Sequence, residues 1–318
     1  MIGVDALYVA ARRILLDVLE ALGPHRPKFV LVGAQAVYLQ AGDAGMEVVA
    51  PYTKDADLGI DARDLDRDPS ILGLMTAAGF SLKITRAGGV EPGTWVAETD
   101  VDGKQTLVPV DLLVPEALAY GNGRRDARLP NHGKNATRRV AGLEATVRDN
   151  VEMTITSLEI ERDPRTMSIR VAGPAALLVA KAQKLGERLG RGNEGRIRAK
   201  DAGDVVRLMR GSATPDAVGK TLAKLAGDEM CGPSVRAGVD YLERLFATPR
   251  ARGVDLAVEN VTGAIREDEV RALMPNYLAV LLAAYRRWHI RTLGARGCRR
   301  PHSRNLDRTG RQSPGVRG

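Results

Sequence analysis

At 318 residues, 44% of them hydrophobic and 4% aromatic, the chain can build a sizeable core but has few rings for stacking on single-stranded nucleic acid. Its two cysteines, Cys231 and Cys298, stand far apart in sequence, which argues against a disulfide framework or a zinc site and for a reduced, cytoplasmic protein. The net charge of +8 is carried by one end: from position 286 onward ten arginines face one aspartate, so the rest of the chain is close to neutral.

Leu7, Ala11, Ile14, Leu15, Val18 and Leu22 recur at helical spacing with charges between them, which predicts an amphipathic helix rather than a signal peptide. PKFVLVG follows as a buried strand ending on Gly33, then GAQAVYLQAG as a short helix. DADLGID alternates like a strand, Pro69 to Ala78 fits a helix, and FSLKIT fits a strand. TWVAETD and QTLVPVDLLV flank VDGK, whose Asp-Gly is a hairpin turn signal. Positions 115–137 form a polar, Gly- and Arg-bearing excursion, read as a loop over one face. VEMTITSLEI and MSIRVAG are strand-like. From Pro174 the pattern changes to helices: PAALLVAKAQKLGERLG, AKDAGDVVRLMRG, TPDAVGKTLAKLAG, SVRAGVDYLERLF and EDEVRALMPNYLAVLLAAYRRW. The apolar run 278–285 is too short to span a bilayer, so no membrane partner is expected. The expected organisation is an α/β (α+β) domain with a mixed sheet over 1–170, a helical domain over 171–290, and a disordered basic tail over 291–318. The tail reads either as a loose contact with nucleic-acid phosphates or as a solvated terminus.

Asp55 and Asp57 are two apart on a strand and so present their carboxylates on one face. Two like charges placed together there are costly unless a cation neutralises them, and hard oxygen ligands suit magnesium. Asp111, an acid inside the apolar run TLVPVDLLV, is the candidate third ligand. Three carboxylates can hold two ions, an arrangement that fits in-line displacement at phosphorus. Gly33 ends a strand and opens a helix, where backbone N–H groups can hold phosphate oxygens. His25, His132 and His289 lie apart in sequence and suggest no dyad, and His132 reads as a surface side chain in a basic loop.

In order and spacing, the strand ending in Gly33-Ala34, the run Thr53-Lys54-Asp55-Ala56-Asp57-Leu58, and Asp111 in a later strand resemble the nucleotidyltransferase fold of the DNA polymerase beta superfamily. Lys181, followed by Lys200-Asp201-Ala202-Gly203-Asp204, is similar to the helical motifs of the AbiEii-type toxins of abortive-infection toxin–antitoxin pairs. The likeness covers roughly residues 28 to 210. It implies catalytic roles for Asp55, Asp57, Asp111, Lys181 and Asp201, with the first three holding magnesium. It implies nucleotide contacts from Gly33, Ala34, Thr53 and Lys184. Lys181 would neutralise triphosphate charge, and Asp201 would orient a lysine or the attacking hydroxyl. The family usually has Gly-Ser where this chain has Gly33-Ala34, so Ala34 can offer phosphate only its backbone N–H. The implied activity is transfer of a nucleotide from NTP to RNA, with the tRNA 3′ end as the leading acceptor and an antitoxin as partner. In some related toxins a hydroxyl at the place of Thr53 is phosphorylated, which makes Thr53 a regulatory candidate. Arg124, Arg125, Arg128, Lys134, Arg138 and Arg139 form a local basic cluster suited to RNA phosphates. Two other readings stay open: transfer to a small-molecule or protein hydroxyl, and a catalytically silent binding protein with the same fold.

Overall fold

The structure, a computed structural model, describes residues 5–42, 53–121, 125–190 and 199–297, with side chains to residue 290. The tail from 298, Cys298 and Arg124 lie outside the described residues.

Helix α1 (Ala6–Ala21) starts at Asp5, whose carboxylate accepts from the backbone N–H of Leu7 and Tyr8 at 2.9 and 3.1 Å. Its apolar stripe, including Ile14, Leu15, Val18 and Leu19, is buried. Strand β1 (Phe29–Val32) is buried along its whole length and runs into α2 (Gly33–Ala41). Then come β2 (Ala56–Ile60), α3 (Ile71–Ala77, capped by Ser70), β3 (Ser81–Ile84), β4 (Val90–Val101) and β5 (Lys104–Pro115). Asp102 and Gly103 make the expected β4–β5 turn, both with positive φ, 52° and 79°. The polar excursion returns as β6 (Arg138–Val140), followed by β7 (Asn150–Thr156) and β8 (Thr166–Ala172).

The strands form one eight-stranded mixed sheet in the order β3-β4-β5-β2-β1-β8-β7, with β6 beside β5. Strand β2 lies at its heart, antiparallel to β1 and parallel to β5. One register line crosses four strands: Val32 pairs with Asp57, Asp57 with Asp111, and Asp111 with Thr94. Directly paired residues share a face, so this line sets polar groups shoulder to shoulder in the middle of an apolar sheet.

After β8 the described chain is helical: α4 (Pro174–Gly190), α5 (Ala199–Arg210), α6 (Pro215–Leu225), α7 (Gly232–Phe246), α8 (Arg252–Val261) and α9 (Glu267–Gly297). Helix α4 packs on α5 and α7, and α5 on α8 and on α2. The hydrophobic core is continuous from the sheet into these helices. Two elements depart from the expectation. Helix α8 is preceded by Ala251, which offers no side-chain cap, so it lacks the usual start signal. Strand β6 is three residues long, too short for alternation to register, and exists because β5 offers it an edge.

Candidate active site

Asp57 is the second residue of β2, with Asp55 just before the strand and Asp111 beside it on β5. The structure thus puts the three expected carboxylates on one face, each in different company. Thr53, fully buried, donates its hydroxyl to Asp55 Oδ1 at 2.5 Å. Gln35 on α2 donates to the Asp55 carbonyl at 3.2 Å and accepts from buried Arg12 at 2.9 Å, tying the start of β2 to α1 and α2. Thr94 donates to Asp111 Oδ1 at 2.7 Å, and Arg138 Nη2 donates to Asp111 Oδ2 at 2.5 Å. Among the described residues no group of three or more His, Cys, Asp or Glu side chains is gathered so as to hold a metal ion. The hydroxyl of Thr53 and the guanidinium of Arg138 hold two of the three acids in their present positions.

Gly33 has φ +69°, and a Cβ there would fall 2.0 Å from Asp57 Oδ2. Glycine is therefore required twice, for the backbone conformation and for the close approach. The Asp57 carboxylate lies against the first turn of α2, where backbone N–H groups and the positive helix end favour an anion. Ala34 is buried in that turn.

The facing wall comes from α4 and α5. Asp149 accepts from Ala176 N at 2.9 Å and so fixes the start of α4. Lys181, buried, donates to Asp201 at 3.1 Å and Asp204 at 2.6 Å. Lys184 donates to Asp201 at 3.0 Å, Arg188 to Asp201 at 3.1 Å, and Arg207 to Asp204 at 3.4 Å. Four cations thus meet two acids, and two of them, Lys181 and Lys184, also act on Asp57. The spacing follows from helix geometry: Lys181 and Lys184, like Asp201 and Asp204, are three apart and share a face.

The charges on the sheet and on the helices act on one another. Burial, then Asp55 and Asp111, push the Asp57 carboxyl up to about 7, while Lys184 and Lys181 pull the other way. Burial alone would lower Lys181, but Asp204 and Asp201 outweigh it and hold the ammonium charged well above its ordinary range. Burial would raise Asp201, but Lys181 and Lys184 outweigh it and keep the acid ionised far below its ordinary range. Lys200 is lowered by burial, against the pull of Asp204 and Asp55. Asp55, Asp57, Asp111, Lys181, Lys184 and Lys200 therefore belong to one electrostatic neighbourhood.

Two members of the basic excursion already have partners. Arg138 is spent on Asp111, and Arg139 turns to the carbonyl of Gly121 at 2.5 Å. The reading of the histidines is corrected. His132 is buried, accepts at Nδ1 from Ile71 N at 3.3 Å, and meets His25 edge to face at 5.4 Å. His25 Nε2 lies 2.7 Å from the Pro69 carbonyl. The sequence separation of the two rings hid a contact made only when α3 closes over them. Asp204, Thr94 and Arg138 join the neighbourhood in roles the sequence did not assign: Asp204 stood in the motif three residues after Asp201, Arg138 was read in the basic cluster for RNA phosphates, and Thr94 had no signal.

No protein-family model matches the chain, and no curated protein matches it.

Proposed function

We propose that the chain is a magnesium-dependent nucleotidyltransferase acting on an NTP and an RNA hydroxyl, the tRNA 3′ end first among acceptors. One observation carries this reading: Asp55, Asp57 and Asp111 crowd one sheet face beneath a glycine-opened helix, opposite a lysine-rich wall. Carboxylates that raise one another's affinity for protons also attract a hard dication, so the donor set fits magnesium. Asp55, Asp57 and Asp111 would hold it, with room in the donor count for two ions. Bound magnesium supplies charge neutralisation at phosphorus and acidifies an attacking hydroxyl.

The chain's own groups divide the remaining work. The α2 N-terminus at Gly33 and Ala34 offers backbone N–H groups to phosphate oxygens. Lys184, paired with Asp201 but with 46% of its side chain exposed, would reach a triphosphate by exchanging that partner. Lys181, held by two acids, orders the wall and contributes its charge at a distance. Asp201 orients Lys181 and Lys184 rather than a hydroxyl. Thr53 fixes the Asp55 carboxylate and remains the regulatory candidate. The toxin role and an antitoxin partner rest on the resemblance alone.

A silent binding protein is the second reading, favoured by the absence of a hydroxyl at Ala34 and by the ion pair on Asp111. Incubation with each α-labelled NTP, magnesium and total cellular RNA separates the two. The first reading expects label in a discrete RNA species. The second expects nucleotide retained without transfer.

A further inference from the structure

Arg138 is placed by backbone as much as by its side chain. Trp95 donates its indole N–H to the Ala136 carbonyl at 2.9 Å, and Gly93 N donates to the Asn135 carbonyl at 2.8 Å. Gly93 has φ +71°, and a Cβ there would lie 2.4 Å from Arg138 N. Strand β6 then pairs Arg138 with Leu113 on β5. Thus β4 gives up a side chain so that the returning excursion can lie close enough to deliver one guanidinium. That guanidinium reaches Asp111 at 2.5 Å, Thr94 Oγ1 at 3.2 Å and Glu91 at 3.6 Å. Glu91 is itself held by Lys83 at 3.0 Å.

We propose that Arg138 is a resident cation that competes with divalent metal for Asp111, an inference that rests on the nucleotidyltransferase reading above. Arginine keeps its charge throughout the physiological range, so pH cannot release it; only a stronger cation can. A magnesium ion at about 2.0–2.1 Å from a carboxylate oxygen would bring a dication against the guanidinium, and the two repel. Metal therefore enters the three-carboxylate face only as Arg138 leaves Asp111.

The test uses Mn2+ as probe, without nucleotide, and measures free Mn2+ by its electron paramagnetic resonance signal. It compares the full chain with Arg138→Met, Arg138→Lys, Asp57→Asn and the double variant Arg138→Met/Asp57→Asn, with thermal melts to verify folding. Loss of a charge-assisted contact on the competing side should tighten Mn2+ binding about ten- to a hundredfold in Arg138→Met. Arg138→Lys, a point charge without the fork, should fall between it and the parent, and it carries the comparison if the methionine variant does not fold. Asp57→Asn should weaken binding in both backgrounds. Unchanged or weaker binding in the Arg138 variants, with Asp57→Asn still removing it, overturns the competition and leaves the metal site standing. Mn2+ binding indifferent to Asp57 throughout overturns the metal reading, and this inference with it.

Discussion

At Asp57 burial and two neighbouring acids favour the protonated form, so its charge is a liability until a cation arrives. Its folded pKa, about 7, stands above the unfolded value, so stability is full below the ordinary carboxylate range and declines as pH rises through 7. In chelator at pH 8, Asp57→Asn should therefore melt above the parent by about 2–5 °C, and at pH 4 the gap should vanish. Equal melting points at pH 8 would mean the acid is already neutralised in the metal-free protein. The two lysines behave differently. Lys181→Met strips a buried cation from two acids and should cost about 3 kcal/mol, so its lost activity would not isolate a phosphate role. Lys184→Ala breaks an exposed contact and should cost under about 1 kcal/mol while weakening NTP binding about tenfold, measured by calorimetry. Thr53 poses a similar trap. It is fully buried against Asp55, so Thr53→Glu would force two acids together and unfold locally, whereas Thr53→Val should retain most stability. A phosphate could reach Thr53 only if its segment opens, which protease sensitivity near residue 53 would report.

Among the elements, β2 was legible because alternation and two acids mark it, and the β4–β5 hairpin because Asp102-Gly103 can adopt the positive φ its turn needs. Asp111 was expected near the pair, but the register of β2 against β5 was not legible: it joins residues more than fifty positions apart, and only the assembled sheet sets Asp57 opposite Asp111. The same holds for the excursion, where an Arg-rich loop conceals a buried histidine. His132 is lowered by burial and by His25, against the backbone of Asp66 and the charge of Asp68. A histidine lowered in the fold contributes stability above the unfolded value near 6.5 and loses it as pH falls through 6.5 toward the folded value. Melting temperature should thus fall between pH 7.5 and 5.5, and His132→Asn, which can still accept from Ile71 N, should flatten that slope. Parallel slopes would place the acid sensitivity elsewhere.

For the molecule as a whole, the arrangement of interest is a sheet face closed by helices from the second half of the chain, with one core running through both. Helical periodicity located α4 and α5, and three-residue spacing marked their paired charges, but no local pattern could say that α5 packs on α2 and turns its acids toward the α4 lysines. Charge is distributed to match: the chain before the tail is near neutral overall, and acids and bases meet in pairs, Arg138 with Asp111 on the sheet and Lys181 with Asp201 and Asp204 on the helices. The claim that this site transfers nucleotides is tested most directly by a single comparison. Wild-type protein and Asp57→Asn are incubated with α-labelled NTPs, magnesium and total RNA, and label in RNA is followed over time. The account predicts labelling by the wild type and a fall of about a thousandfold in the variant, whose melting point is no lower. Labelling at the wild-type rate by Asp57→Asn, or none by the wild type, would contradict it.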